Sequence, residues 1–102
     1  MDFPIAKSQL NRILSECLRK AGYISITDHL TQKDSFVRRL SKTQFYPRFH
    51  LYVTEDSLTY HFSLHLDQKK PIYHAKGVRA HNADYDDPLV AEEKQRIISS
   101  LN

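Results

Sequence analysis

The chain has 102 residues, 40% hydrophobic and 26% charged, a balance that fits a folded domain and excludes wholesale disorder. Fifteen Lys and Arg against twelve Asp and Glu leave a net charge of +3, too slight to mark a polyanion-binding protein by itself. A single Cys excludes an internal disulfide, and no Cys or His spacing matches a zinc site.

The first predicted element is a helix. Leu10, Ile13, Leu14, Cys17, Leu18 and Ala21 fall at i, i+3, i+4, i+7, i+8 and i+11, a single apolar stripe. Pro4 suits a helix start and Gly22 supplies a left-handed stop. Two strands follow. Ile24, Ile26 and Leu30 alternate with polar neighbours, and Ser35–Ser41 reads as a short strand. Its facing is open: either Phe36 and Leu40 point inward, with Arg38 between them, or Val37 does, with Arg39.

The clearest sheet signal is the hairpin from Phe45 to Asp67. Phe49, Leu51 and Val53 alternate with Arg48, His50, Tyr52 and Thr54. Leu58, Tyr60, Phe62, Leu64 and Leu66 alternate with Thr59, His61, Ser63, His65 and Asp67. A turn at Glu55-Asp56 keeps both apolar sets on one face. That register sets His50 opposite His61, Arg48 opposite Ser63 and Tyr46 opposite His65.

Residues 67–87 then show neither hydrophobic period, yet they are rich in His, Tyr, Asp, Lys and Arg. Connections longer than about 12–15 residues inside a compact domain are usually functional or disordered. Ile72, Tyr73, Val78 and Tyr85 offer apolar anchors, so this one is expected to pack as a lid over the histidine face, with His81 or an Asp near it. A terminal helix follows, capped by Asp87 and begun by Pro88, with Leu89 or Val90, Ile97, Ile98 and Leu101 on its apolar side.

These elements predict one α+β domain over residues 1–102. It is a two-layer sandwich, with an antiparallel four-stranded sheet and two helices on one face, in the order αββββα. No apolar run approaches the roughly 18–20 residues of a membrane span, so a soluble cytoplasmic protein without a membrane partner is expected.

The opposite sheet face is where chemistry is expected. His50 and His61, directly opposed, can meet one ligand, and with Arg48 they could act as general base, general acid and charge neutraliser at a phosphodiester. A metal could instead recruit Asp67, His74, His81, Asp84 or Asp86, but Arg48, Lys69 and Lys70 work against a cation, so neither metal nor cofactor is expected. Tyr46, Tyr52 and Tyr73 interleave with Arg48, Lys69, Lys70, Lys76 and Arg79 in a pattern that can stack and neutralise single-stranded RNA. The expected ligand-binding set is Arg48, His50, Tyr52, His61, His65, Asp67, Lys69, Lys70 and His81.

Three functions follow. The specific one is binding of RNA or a phosphate-bearing small molecule on this face. The alternatives are a protein-interaction or structural module without a ligand site, and a small phosphodiester hydrolase using His50 and His61. Whether the protein is an enzyme is left open at this point.

The string "FYPRFHLY…FSLHLDQKKPIYHAKGVRAHNADYD" resembles a family of small uncharacterised bacterial proteins over Phe45 to Ile97. The resemblance implies no activity. It implies that Arg48, His50, His65, Asp67, Gln68, Lys69, His81, Tyr85 and Asp86 belong to one pattern.

Overall fold

A computed structural model describes residues 1–68 and 88–101. These residues form an α+β fold built on an open antiparallel sheet of five strands: β1 (Asp2–Ala6), β2 (Ile24–Thr27), β3 (Asp34–Arg39), β4 (Arg48–Glu55) and β5 (Thr59–Asp67). Their order across the sheet is β1-β5-β4-β3-β2, so the hairpin predicted most clearly lies at its centre. Among the described residues two helices, α1 (Leu14–Lys20) and α2 (Pro88–Ser100), pack with the apolar face. Among the described residues no helix is long and apolar enough to cross a membrane.

The fifth strand corrects the expected four. The N-terminal segment is an edge strand, not the start of a helix. Its Phe3 and Ile5 alternate inward and are buried, while Asp2 and Pro4 point out. Pro lacks the N–H a central strand needs, but an edge strand tolerates it. A single 3-10 turn (Lys7–Gln9) then leads to α1, which is shorter than the stripe suggested. Ile13 precedes the helix as its cap residue and is 65% exposed, so it leaves the expected core. Leu18, Cys17 and Ala21 are buried as the stripe requires, and Leu10 and Leu14 pack at the margin. Glu16 in the first turn and Arg19 and Lys20 in the last complement the helix dipole. Gly22 ends the helix with φ +99°, and a Cβ there would press on the Arg38 stem at 3.4 Å.

The hairpin register differs from the expected one. The strands turn through Ser57-Leu58, not Glu55-Asp56. Asp56 Oδ1 accepts the N–H groups of Leu58 (3.1 Å) and Thr59 (3.0 Å), and the Asp56 N–H reaches the Thr59 carbonyl at 2.9 Å. An Asp side chain that captures the next amides is a turn former in its own right. The loop length stays even, so every side chain keeps its predicted face while each pairing shifts along. Val53 now faces Phe62, Leu51 faces Leu64 and Phe49 faces Leu66. Leu58, expected inward, sits exposed in the turn.

The open facing of β3 resolves in both directions. Phe36 pairs with Leu51 and packs against the core, whereas Val37 pairs with His50 on the opposite face and is buried there. β2 also reverses. Ile24 and Ile26 pair with Val37 and Ser35, so they join the face away from the helices, and Ile24 is exposed. Leu30 lies beyond the strand and is 93% exposed. Tyr23, just before β2, fills the core position instead.

The core joins Phe3, Ile5, Leu18, Phe62, Leu64 and Leu66 to Val90, Ile97 and Leu101 of the C-terminal segment. One charge is buried inside it. Glu93 of α2 accepts from the Tyr23 hydroxyl (2.6 Å), Arg96 (2.8 and 2.9 Å) and Arg38 (3.2 Å). Arg96 also donates to the Ala21 carbonyl, which ties both helices and the sheet to one carboxylate. The expected cap Asp87 and the 67–87 lid, beyond Gln68, lie outside the described residues.

Candidate functional site

The face of the sheet away from the helices carries a hydrogen-bonded row that crosses three adjacent strands. Ser35 on β3, His50 on β4 and Asp67 on β5 are placed by the pairings Val37–His50 and His50–His65. Ser35 Oγ lies 2.7 Å from His50 Nε2, and Asp67 Oδ2 lies 2.8 Å from His50 Nδ1. Both Ser35 (7% exposed) and His50 (8%) are buried, so these bonds are made out of competition with bulk water.

Two neighbours hold the row in place. Arg48, the cross-strand partner of Asp67, donates Nε–H to the same Oδ2 at 3.2 Å, and its guanidinium lies over the Tyr46 ring at 4.7 Å. Tyr52 stacks on the His50 imidazole, with ring centres 4.4 Å apart and planes at 21°. It also meets the His65 ring in a T-shaped contact, with ring centres 5.6 Å apart.

The electrostatics give the row a direction. Burial would raise the Asp67 pKa, but the hydrogen bond and charge of His50, and then those of Arg48, outweigh it and hold the carboxyl below its usual range. Asp67 is therefore an ionised acceptor, and Nδ1 is the nitrogen that donates to it. In the neutral imidazole, Nε2 then carries a lone pair aimed at the Ser35 hydroxyl. Burial, with the charge of Asp67 behind it, pushes the Tyr52 phenol up, so Tyr52 stays neutral.

A cleft of about 510 Å³ opens beside this row. Its walls include Ser35, His50, Arg48 and Tyr52, with Lys33 and Ile26 from the β2–β3 side. Asp28 and Asp34 also line it, and each is engaged locally: Asp28 accepts from the Leu30 and Thr31 amides, and Asp34 from the Thr27 hydroxyl. The Lys33 ammonium makes no ion pair among the described residues. A second cleft of about 390 Å³ lies across Tyr52, between β1 and β5, and includes His61.

Arg48, His50, Tyr52, His65 and Asp67 thus share the predicted face. The expected pairing of His50 with His61 is not observed. His50 is opposite His65, and His61 is opposite Thr54. His61 and His65 are four positions apart along β5, roughly 13 Å. His61 instead bonds to Asp56 of the turn at 3.0 Å, with its side chain 52% exposed. Tyr46, expected opposite His65, precedes β4 and serves as the platform for Arg48. Lys69, Lys70 and His81 lie outside the described residues.

Sequence reasoning missed Ser35, Lys33 and Val37. The signal for Ser35 was present but unread: once Val37 pairs with His50, Ser35 shares that face one pleat away. Among the described residues no cluster of three or more His, Cys, Asp or Glu could hold a metal ion. No protein-family model, curated protein or solved structure matches the chain.

Proposed function

We propose that the cleft beside His50 binds a small molecule bearing a phosphate or similar anionic group. The observation that carries this reading is the convergence of Lys33, Arg48, His50 and Tyr52 on one cleft of about 510 Å³. That volume falls within the range of about 300–1,000 Å³ typical of small-molecule sites. Lys33 is the cation best placed to meet the ligand, since Arg48 is engaged with Asp67.

A nucleic-acid strand fits less well. It asks for a continuous basic track, whereas Lys33 and Arg48 here alternate with Asp28 and Asp34 along one short cleft.

Titration of the 15N-labelled protein with phenyl phosphate tests this reading. Amide shifts are expected to cluster at Lys33, Ser35, Arg48, His50 and Tyr52, and to vanish in Lys33→Ala. Shifts scattered over the surface, or none, would contradict it.

A further inference from the structure

We propose that Ser35 is the nucleophile of an acyl-transfer site, with His50 as its base and Asp67 as the group that orients the base. The substrate class is a carboxylic ester whose far end carries the anionic group. Only that last clause rests on the ligand reading above.

The geometry places a nucleophile, its base and the carboxylate that orients the base in one hydrogen-bonded row. A serine hydroxyl is a weak nucleophile unless a base takes its proton as it attacks. Here the base is 2.7 Å away, through the nitrogen left as acceptor when Nδ1–H points at Asp67. The base must also be held still and in one tautomer, which Asp67 does from one side and the stacked Tyr52 ring from the face. Such constellations recur on unrelated folds and are recognised by roles and distances, not by sequence position.

Ser35 and His50 both line the cleft, so the buried row has an open side from which a substrate can approach. A purely structural bond between a serine and a histidine requires neither the carboxylate behind the ring nor the cleft in front. Arg48 adds a further part: by donating to the same Asp67 oxygen it keeps the carboxylate charged and fixed.

The reaction balances without any co-reactant except water. Ser35 Oγ bonds to the ester carbonyl carbon while its proton passes to His50 Nε2. The carbonyl electron pair moves onto oxygen and gives a tetrahedral intermediate. Its collapse breaks the bond to the alkoxy oxygen, which takes the proton from Nε2 and departs as the alcohol. Water then attacks the acyl-Ser35, giving its proton to Nε2. Collapse releases the carboxylic acid and returns that proton to Ser35.

The direct test treats the intact protein with a fluorophosphonate and maps the adduct by mass spectrometry. A single adduct on Ser35 is expected, absent in Ser35→Ala, and formed about 100-fold more slowly in His50→Ala once the general base is gone. No adduct on Ser35 of the unaltered chain would overturn the proposal, and so would a labelling rate indifferent to His50. The adduct is sought first on the unaltered chain, so a variant that fails to fold does not blur the outcome.

Substrate class is read from a neutral nitrophenyl acetate against its anionic hemisuccinate counterpart. Faster release from the anionic ester, lost in Lys33→Ala, is expected; equal rates would overturn the anionic requirement. The two readings fail separately. Phenyl phosphate binding without a Ser35 adduct removes the nucleophile and keeps the ligand site, and an adduct without phosphate binding does the reverse.

Discussion

Two buried polar networks sit on opposite sides of the same sheet, and they differ in what they leave unfinished. Between the helices and the sheet, Glu93 is enclosed by Tyr23, Arg38 and Arg96. Its partners saturate it: burial first, then the bond to Glu93, pushes the Tyr23 phenol far up, and the bond to Glu93 raises Arg96. On the other side, Asp67 is likewise paired with an arginine, but the row ends on an imidazole and a hydroxyl at the wall of a cleft. The first network is a rivet. The second has one side open to that cleft. Burial of charge alone does not distinguish structure from function; access to a cleft does.

The largest effect should come from the side where the core lies. Phe62→Ala removes a fully buried ring that packs edge-on against Phe3 at 5.4 Å, and should cost about 3–5 kcal/mol in chemical denaturation. An unmoved midpoint would mean that the helices do not close over this face.

Glu93→Ala comes next, at about 3 kcal/mol, because it leaves the Tyr23 hydroxyl and two guanidinium groups without their shared acceptor. Its thermal unfolding should drop while phenyl phosphate binding by the folded protein stays intact. Loss of binding at full stability would invert the comparison.

His50→Ala should destabilise less, about 1–3 kcal/mol, since Arg48 still engages Asp67. It should nevertheless abolish the ligand-induced shifts. The pH dependence separates the networks further. The Asp67 pKa is lower in the folded state than its unfolded value of about 3.9. Its contribution is therefore complete above that value and is lost as pH falls through the lowered folded value. Asp67→Asn should flatten this acid limb of stability. Tyr23 works at the other end. Its pKa is raised above about 10, so its contribution is held below that value and lost as pH rises through the folded one, and Tyr23→Phe should flatten the alkaline limb.

The smallest effect is expected at His61. With its ring exposed on the turn, His61→Ala should leave both the denaturant midpoint and the phenyl phosphate shifts unchanged. A loss of binding would restore the pairing with His50 that the register rules out.

How much of this was legible in the sequence depends on which physical signal each residue carries. The faces of β4 and β5 could be read because alternation survives any even change in the turn; the partner of His50 could not, because Asp56 chose the turn through its side chain. β1 was unreadable as a strand, since Phe3 and Ile5 give one period of alternation around a proline. The α1 stripe was real, but it ran past the helix into Leu10 and Ile13, which belong to the approach. Glu93 was hidden because a charged residue in an amphipathic helix signals the solvent side, and only tertiary partners reverse that. Ser35 was hidden for a related reason: a serine in a short strand of open facing carries no signal until its neighbour Val37 is placed against His50.

The nitrogen on which neutral His50 carries its proton tests the central claim most directly. Long-range 1H–15N spectra of the imidazole report it without ligand or substrate. The arrangement of Asp67, His50 and Ser35 predicts the Nδ1–H tautomer, with Nε2 as the acceptor facing Ser35, changing to the Nε2–H form when Asp67→Asn removes the charged acceptor. An Nε2–H tautomer in the unaltered protein would contradict the account, because His50 would then have no lone pair to offer Ser35.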